Sequence, residues 1–498
     1  MKKLIFTTIG ILIMHLIMQA KDYNIVDFGA VPDGAALNTE QIQAAIDQAH
    51  SDGGGRVIIP PGKFVSGSIH IKSNVELHLM NKAELIGSEN YLDYEVRRWV
   101  GFIMGYEAEN IGITGRGIIN GQGALIGRIM DSLFYIGEVD SSMYNHKDKR
   151  PRAEFRPMLI LLSRCKNIVV KDITLKNAAC WVQTYDLCRN VTIDNVTVDS
   201  DSYWNNDGID IVDCKNVRIT NCDINSSDDG ICLKSFSLND TSRLCDNIYI
   251  SDCSVRSSAS AIKCGTSSYG GFKNVVIERI NIKNTYRSAI ALECYQTGIM
   301  ENILIQNITA KNTGNAIFVR LGRKPMDNYL RDSVSEIKNV TIRNVKVTVP
   351  FKRPDYDYEL RGPALPFFHN IFPSSIVGIP GHPIENVTLE NIKITYPGRG
   401  NRAFANLPLN RLDDIPEKPG DYPEFSMFGE LPAWGFYLRH VDGVNVKNVK
   451  IKIKDEDYRP AIVCDDVKNM RVESLKVKGD NKANDIILHK SENVEIID

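Results

Sequence analysis

Short apolar strands separated by polar turns recur along most of this chain. The repeated unit begins with Asn, has aliphatic residues at alternate positions and is followed by a second aliphatic pair, as in Asn167-Ile168-Val169-Val170. An alternation with a period of two predicts half-buried β-strands rather than helices. The further copies begin at Asn190, Asn216, Asn247, Asn274, Asn302, Asn339, Asn386, Asn469 and Asn493, with weaker copies at Asn74 and Asn110.

The repeats indicate the overall architecture. No helical pattern of about 10–15 residues separates the strands, so they do not form β-α-β units. Strands at a period of roughly 25 residues are typical of a solenoid in which each repeat forms one coil. We therefore expect an all-β, single-domain right-handed parallel β-helix over residues 21–498, with loop insertions near residues 117–156, 350–383 and 397–434.

The first 20 residues differ from the rest of the chain. Lys2 and Lys3 precede an apolar run that reaches Ile17, and Ala20 follows as a small residue. This layout predicts a secretory signal peptide over residues 1–20. The alternative is a retained membrane anchor, but the run is short for a span of roughly 20 residues. We expect an exported protein, periplasmic or extracellular, without a membrane span in the mature chain.

The composition narrows the choice of partners. The chain of 498 residues carries 59 basic and 61 acidic side chains, for a formal net charge of −2. A balance so close to neutral provides no global positive field for a nucleic acid backbone. With 43% hydrophobic and 24% charged residues, the chain has the composition of a globular protein with a large core.

Four cysteines follow the same repeat. Cys165, Cys188, Cys214 and Cys245 each stand two residues before a repeat Asn, which predicts one column of stacked side chains. Neighbouring strands are about 4.8 Å apart, a distance that permits a disulfide. Buried thiols fill a small core position equally well, and we favour that interpretation. The cysteine spacing does not indicate a zinc site.

Aligning the coils on one another brings carboxylates together. Asp207 and Asp229 share one column, Asp228 adjoins it, and Asp210 shares a column with Lys263 two coils later. Because coils are about 4.8 Å apart, these like charges disfavour simultaneous ionisation. Neighbouring carboxylates with different pKa values are what a glycosidase needs to protonate a leaving oxygen and activate water.

Cations fall in neighbouring columns of the following coils. They are Lys234, Lys263, Arg287 and Arg320, and Glu293 lies among them. A row of cations beside carboxylates suits an acidic sugar in the same groove.

Two motifs then identify a family resemblance. Asn205-Asn206-Asp207-Gly208-Ile209-Asp210 and Ser227-Asp228-Asp229-Gly230 resemble the Asn-Thr-Asp and Asp-Asp motifs of glycoside hydrolase family 28, the polygalacturonases and rhamnogalacturonan hydrolases. The resemblance extends over nearly the whole mature chain. It implies an inverting hydrolysis, with Asp228 as the general acid and with Asp207 and Asp229 holding and deprotonating the water. We expect no cofactor and no metal.

The chain departs from the polygalacturonases at two other motifs. Ser260 falls where they carry the histidine of Gly-His-Gly, and Ala291-Leu292-Glu293 falls where they carry Arg-Ile-Lys. In that family these residues help to hold the galacturonate carboxylate, so the departures imply a different sugar beside the bond. Rhamnogalacturonan hydrolases also lack the histidine motif.

The sequence therefore predicts a monomeric glycosidase that hydrolyses a pectin-type acidic polysaccharide or oligosaccharide, galacturonan or rhamnogalacturonan. If the late insertions wall off one end of the groove, attack is from the chain end, with His369, His382 or Trp434 near the sugar. The expected substrate-binding residues are Asn205, Asp210, Lys234, Lys263, Arg287 and Glu293.

Two other functions remain open at this stage. A polysaccharide lyase on the same fold would need Ca²⁺, for which Asp207, Asp228 and Asp229 offer oxygen ligands. A non-catalytic carbohydrate-binding β-helix would have lost activity through the changes at Ser260 and Glu293.

Overall fold

The chain winds into a long parallel β-helix. A computed structural model describes residues 21–97, 99–236, 243–324, 334–479 and 486–497. Parallel strands pair from coil to coil along this whole length, which confirms the prediction of an all-β parallel β-helix. The predicted signal peptide, residues 1–20, lies outside the described residues. No helix in the described ranges has the length and apolar character needed to cross a bilayer.

The strands and helices are short in the first half of the chain and longer in the second, where single strands run around a corner of the coil. The helices are α1 (Thr39–Ser51) and α2 (Gly123–Tyr135). The strands of the first coils are β1 (Asp22–Asn24), β2 (Asp33–Leu37), β3 (Gly55–Ile59), β4 (Gly62–Ser66), β5 (Ile69–His70), β6 (Val75–Leu79), β7 (Ala83–Gly87), β8 (Gly101–Tyr106), β9 (Glu109–Gly115), β10 (Ile118–Asn120), β11 (Tyr144–Asn145) and β12 (Arg150–Pro151). The middle strands are β13 (Met158–Ser163), β14 (Lys166–Lys171), β15 (Thr174–Lys176), β16 (Gln183–Asp186), β17 (Arg189–Asp194), β18 (Thr197–Ser200), β19 (Ile209–Val212), β20 (Lys215–Thr220), β21 (Asp223–Ser226), β22 (Ile231–Ser235), β23 (Cys245–Ser251), β24 (Ser254–Ser257) and β25 (Ile262–Ser268). The last strands are β26 (Gly271–Cys294), β27 (Ile299–Leu321), β28 (Glu336–Thr348), β29 (Ser374–Val377), β30 (Ile384–Tyr396), β31 (Phe436–Ile453), β32 (Ile462–Lys478), β33 (Ile486–His489) and β34 (Glu492–Ile497).

Each coil contributes to three parallel sheets. The first sheet contains β9, β14, β17, β20, β23 and the start of β26; the second contains β10, β15, β18, β21, β24 and the middle of β26. The third contains β8, β13, β16, β19, β22, β25 and the end of β26. Later strands continue all three sheets, and the aliphatic side chains that point inward form one continuous core.

The repeated Asn explains the regular turns. Asn167, Asn190 and Asn216 all have a left-handed backbone with φ between 55° and 59°, a conformation that Asn tolerates better than most residues. Their side-chain amides also bond from coil to coil, because Asn190 Nδ2 donates to Asn167 Oδ1 at 2.9 Å and Asn216 Nδ2 to Asn190 Oδ1 at 3.0 Å. The sequence repeat is therefore a ladder of stacked amides.

The predicted column of thiols is present in the main core. Cys165, Cys188, Cys214 and Cys245 are completely buried, and all 11 cysteines of the chain, each of which is described, are free and buried. Their thiols donate to neighbouring carbonyls, as Cys188 Sγ does to the Leu162 carbonyl at 3.3 Å. The preference for free thiols over disulfides is confirmed.

Additional segments cover the ends and the third sheet. Helix α1 packs the buried side chains of Ile42 and Ile46 against the first coil and covers that end of the core. Between β10 and β13 the chain leaves the sheets to form α2 and the small antiparallel pair β11–β12. Two longer excursions follow, between β28 and β29 and between β30 and β31; the second, residues 397–434, is called the late insertion below.

The late insertion builds a second hydrophobic core on the outside of the third sheet. Its apolar residues pack on those of β27, β29, β31 and β32, so that this part of the sheet is covered. The larger members of the second core are Phe318, Phe372, Leu412, Phe425, Phe428, Leu431 and Tyr437. The late insertion therefore marks the end of the exposed surface of the third sheet.

Candidate active site

The three aspartates lie at the turns that lead into the third sheet. Asp207 and Asp229 occupy equivalent positions on neighbouring coils, because the Gly208 amide donates to the Asp229 carbonyl at 2.9 Å. Ser260 follows in the same column, since the Gly230 amide donates to its carbonyl at 2.8 Å. The predicted column of Asp207 and Asp229 is confirmed, and Ser260 continues it.

Local sequence fixes the shape of these turns. Asn206 is buried, and its side-chain amide donates to the carbonyls of Ala178 and Cys180 on the preceding coil at 2.9 and 3.0 Å. Gly208 and Gly230 permit the close stacking, because a Cβ at either would lie only 2.6 or 2.7 Å from a carbonyl oxygen of the next coil. Larger residues would separate the coils and the aspartates with them.

Asp207 and Asp229 face each other in a nearly closed space. Both are 4% exposed, and one carboxylate oxygen of each lies within 4.8 Å of the other and of the Cys232 sulfur. Burial raises the pKa of Asp207 well above its ordinary value. Burial acts on Asp229 in the same direction, but Lys263, Lys234 and Arg287 outweigh it and hold its pKa below the ordinary value.

Asp228 has a different environment from its two neighbours. Its side chain is half-buried and receives hydrogen bonds from Asn205 Nδ2 at 3.3 Å and from the Asp229 amide at 3.0 Å. Within the described ranges no lysine or arginine forms an ion pair with it. Asp228 is thus an accessible carboxyl group that can carry a proton without breaking a salt bridge.

Asn205 is positioned from the opposite side by a buried arginine. Arg156, which is 1% exposed, donates from Nη2 to Asn205 Oδ1 at 2.7 Å and from Nη1 to the carbonyl of Trp204 at 2.8 Å. Nearby, the guanidinium of Arg150 stacks 4.6 Å from the Trp204 ring. The segment between β10 and β13 therefore forms one wall beside Asp228.

Lys234 forms ion pairs with two of the buried carboxylates. Its Nζ lies 2.9 Å from Asp207 Oδ2 and 2.5 Å from Asp210 Oδ1. The two carboxylates raise the pKa of Lys234 well above its ordinary value despite burial. Burial raises the pKa of Asp210 to about 6, with Lys234 opposing that shift. The lysine therefore stays charged and fixes the position of Asp207.

Lys263 has the same relation to the next coil. Its Nζ lies 3.1 Å from Asp229 Oδ2 and 3.7 Å from Glu293 Oε2, and it is 2% exposed. Glu293 also accepts a hydrogen bond from Thr266 Oγ1 at 2.9 Å. Burial raises the pKa of Glu293 to about 8, although Lys263 opposes the shift. The register Asp210–Cys232–Lys263 confirms that Asp210 and Lys263 share a column.

The late insertion contributes two residues that the sequence did not indicate. Glu424 Oε1 pairs with Arg287 Nη1 at 2.6 Å, and the Tyr422 ring centre lies 5.6 Å from Lys263 Nζ. Burial raises the pKa of Glu424. Each of Lys234, Lys263 and Arg287 is therefore paired with a carboxylate of the protein itself.

Arg320 and Trp434, two other residues named from the sequence, are buried against other parts of the chain. Arg320 is 1% exposed and donates to the carbonyls of Gly378 and Glu417, so it attaches the late insertion to the sheet. Trp434 packs on Tyr396 inside the core, and the prediction that it contacts a sugar in the groove is wrong. The guanidinium of Arg320 lies 5.0 Å from the ring centre of Phe428 in the second core, whereas Trp434 belongs to the main core of the solenoid. His369 stacks on Phe372, and His382 lies at an exposed turn.

An aromatic surface extends from the aspartates towards the first coils. Trp181 stacks on Trp99 with ring centres 5.5 Å apart and on Phe236 at 6.3 Å, and Lys234 Nζ lies 4.6 Å from the Trp181 ring. These rings border a cavity of about 310 Å³, which Met158 and Thr184 line from the third sheet. Aromatic rings of this kind bind the apolar faces of sugars.

The donor atoms suit calcium poorly. Asp207 and Asp229, two of the three aspartates proposed as ligands, are each already ion-paired with a buried lysine. The third ligand that lies close to both is the thiol of Cys232, whose pKa burial raises well above its ordinary value. Ca²⁺ prefers six to eight oxygen ligands, which this set does not provide.

Comparison with known proteins identifies the family. Residues 54–354, more than half of the chain, match the family model of glycosyl hydrolases family 28. The chain belongs to this family. The family-28 segment contains all three aspartates, Lys234, Lys263, Arg287 and Glu293, and it ends before the late insertion.

Individual family-28 relatives are distant. A probable polygalacturonase of Vitis vinifera is 26% identical over 353 residues, which cover 66% of this chain and 62% of that protein. An exo-poly-alpha-D-galacturonosidase of Dickeya chrysanthemi is 26% identical over 251 residues, 42% of this chain and 41% of that protein. The matched regions are thus less than two thirds of the length of either relative.

A solved structure shares the fold. An exopolygalacturonase from Thermotoga maritima superposes with a TM-score of 0.59 over 76% of this chain and 87% of that chain, at 23% identity. At this level of identity the similarity concerns the fold alone, and it agrees with the predicted right-handed parallel β-helix.

Proposed function

We propose that this protein is a glycosidase that hydrolyses a bond in a pectin-type acidic polysaccharide or oligosaccharide. The observation that carries the proposal is the difference among the three aspartates. Asp207 and Asp229 are buried and paired with lysines, whereas Asp228 is accessible and has no ion-pair partner in the described residues. An acid and a base in distinct environments are what glycoside hydrolysis requires.

The roles follow from these environments. Asp228 donates its proton to the glycosidic oxygen, and Asn205 orients that carboxyl group. Asp229, with its lowered pKa, accepts a proton from a water molecule that it holds together with Asp207. Attack by this water on the face opposite the departing oxygen gives inversion at the anomeric carbon. Lys234 and Lys263 keep Asp207 and Asp229 in place.

In this proposal the sugar unit beside Lys263 and Arg287 is not a galacturonate with an ionised carboxylate. Both cations are compensated, Lys263 by Asp229 and Glu293 and Arg287 by Glu424. A uronate carboxylate would therefore meet at least as many negative as positive groups here, and like charges disfavour its binding. A neutral sugar at this position, as in an alternating rhamnogalacturonan, avoids that repulsion.

Attack from a chain end is the second specific part of the proposal. Tyr422 and Glu424 of the late insertion lie beside Lys263 and Arg287, one and two coils beyond Asp229. At about 4.8 Å per coil, the open groove on that side accommodates only one or two sugar units. A family-28 relative named as an exo-acting enzyme supports this mode of attack. We further propose that the protein is exported and acts outside the cytoplasm as a monomer.

The decisive experiment is to incubate the purified protein with homogalacturonan, methyl-esterified pectin and rhamnogalacturonan, and to follow reducing ends and product sizes. Release of one or two sugar units from the first time point is expected, most rapidly from rhamnogalacturonan. Mixed oligomers at early times would exclude exo-attack. An unsaturated product together with chelator sensitivity would indicate a lyase, and binding without turnover on any fraction would indicate a non-catalytic protein.

A further inference from the structure

Six exposed lysines lie next to one another on the second sheet, in the last coils of the solenoid. They belong to β28, β30, β31 and β32, and we refer to them together as the lysine face. Its members are Lys346, Lys393, Lys450, Lys452, Lys476 and Lys478.

The pairing of the strands places these lysines directly opposite one another. Lys393 is the register partner of Lys346 on one side and of Lys450 on the other, and Lys450 is in turn the partner of Lys476. Four like charges therefore form one column, with about 4.8 Å between neighbouring strands. Lys452 and Lys478 pair in the adjacent column.

No carboxylate in the described ranges compensates these charges. None of the six lysines takes part in a hydrogen bond or ion pair there. Elsewhere on the same sheet a lysine has an acidic partner, as Lys176 has in Asp199 at 3.1 Å. Like charges directly opposite each other on neighbouring strands destabilise a sheet, so this arrangement costs stability unless a bound anion offsets it.

The lysine face is separate from the candidate active site. The aspartates lie at the third sheet between β16 and β25, whereas the lysine face lies on the second sheet from β28 onwards. Five of its lysines, with Ile451 at the base, line an open recess of about 350 Å³.

We propose that the lysine face is a second binding surface, which holds an acidic polysaccharide chain through its uronate carboxylates. A polyuronate repeats a negative charge along an extended chain, as the lysine column repeats a positive one. Such a surface would keep the protein on its polymer while the active site acts on chain ends. The choice of polysaccharide as the occupant rests on the proposed function, whereas the lysine face itself does not.

A nucleic acid or an anionic lipid surface fits the rest of the protein less well. The chain as a whole has a net charge of −2, so outside this patch it offers no positive field to a long polyanion of high charge density. Among the described residues that line the recess, the apolar member Ile451 is buried at 1% exposure and offers no side chain for insertion into a bilayer.

The test uses electrophoresis in native gels that contain polygalacturonate, with neutral galactan gels as the reference. The variant carries Lys393→Gln, Lys450→Gln, Lys452→Gln and Lys476→Gln together. We expect its affinity for polygalacturonate to fall at least about tenfold, and we expect 0.5 M salt to reduce the retardation of the wild type. Hydrolysis of short oligosaccharides should not change, and the melting temperature should stay equal or rise because repulsion is removed.

A matched control carries Lys166→Gln, Lys171→Gln, Lys176→Gln and Lys273→Gln, which removes the same charge from lysines that are paired with acids. Its retardation should remain close to that of the wild type. An equal loss of affinity in both variants would overturn the proposal, because net charge alone would then explain binding. Equally tight binding to DNA or to vesicles of phosphatidylglycerol would overturn the choice of polysaccharide.

The same gels separate this proposal from the proposed function. If Asp228→Asn abolishes turnover while the lysine variant binds polymer as the wild type does, the lysine face fails and the glycosidase stands. If the wild type shows no turnover but its binding still depends on the four lysines, the lysine face stands and the glycosidase fails.

Discussion

Lys263 and Asp229 form a buried ion pair, with Nζ 3.1 Å from Oδ2 and both side chains at most 6% exposed. The lysine stands one coil beyond the aspartate, so the stacking of coils alone brings them together. The pair keeps Asp229 ionised in a place where burial would otherwise favour its neutral form. The register of the coils thus keeps a charged base in a buried site.

Replacing Asp228 tests the assignment of the acid. Asp228→Asn should lower kcat by at least about a thousandfold, because the leaving oxygen loses its proton donor, while substrate affinity stays within a few-fold. Rates are measured by reducing-end release and affinity by fluorescence titration. Asp223→Asn, an exposed acid on the second sheet, is the control and should act as the wild type. Undiminished turnover in Asp228→Asn would refute the assignment.

Replacing Lys263 tests the assignment of the base. Lys263→Met removes a group that lowers the pKa of Asp229, so that pKa should rise. The acidic limb of the kcat/KM profile should then move to higher pH by about one unit or more. Lys263→Arg retains the charge and should leave the limb near its original position. An unshifted limb in the methionine variant would mean that another group is the base.

Two substitutions test the coupling of Lys234 with Asp207 and Asp210. Lys234→Met leaves the carboxylates of Asp207 and Asp210 buried without their counter-ion, which should cost about 3–5 kcal/mol of folding free energy. Adding Asp210→Asn removes one of the two charges and should restore part of that loss. Urea unfolding of the single and double variants measures both effects. Strict additivity of the two substitutions would show that the residues are not coupled.

Glu293 should make stability depend on pH. Its pKa is raised from 4.5 to about 8 in the folded protein, so the folded state holds the proton more tightly than the unfolded state. The stabilisation that protonated Glu293 contributes is therefore fully present below pH 4.5 and is lost as the pH rises towards 8. Glu293→Gln resembles the protonated form. Its melting temperature, relative to that of the wild type, should therefore rise by a few degrees between pH 4.5 and pH 8. Glu301→Gln, which breaks an exposed pair with Lys273, should show no such trend.

Glu424 should control the choice of sugar. Glu424→Gln frees the guanidinium of Arg287, and kcat/KM on oligogalacturonate should rise several-fold relative to its methyl ester. The size of this effect follows from the free energy of a charged pair, which is up to about 1 kcal/mol for an exposed pair and more for a partly buried one. Glu430→Gln, a change in the same insertion at a residue near Arg459, provides the comparison. An unchanged preference for Glu424→Gln would mean that the pair does not contact the sugar.

Periodicity was enough to predict the register of the site. In the four coils around the site an isoleucine follows a Gly or an Ala, these isoleucines pair from coil to coil, and the polar residues around them fall into columns. One coil escaped the pattern. Gly443 stands between Asn386 and Asn469 in the ladder and has φ of 79°. Glycine adopts the same left-handed conformation as asparagine, so a repeat identified by its Asn does not include this coil.

The contributions of the late insertion could not be predicted in this way. Tyr422 and Glu424 reach the site because Phe425 and Phe428 anchor the insertion in the second core. A loop of this length has no repeat that would fix its path. For the same reason the sequence does not show that the ring of Trp434 packs inside the solenoid.

The buried thiols have a consequence for how the protein is made. Cysteines in exported proteins usually pass through an oxidising compartment and pair there. Here all 11 are enclosed by the coils and none is joined to another. Folding therefore depends on neither an oxidant nor a disulfide isomerase. A chain that lacks residues 1–20 should reach the same covalent state in a reducing cytosol as in an oxidising compartment, and mass spectrometry after alkylation of the unfolded protein can count the free thiols.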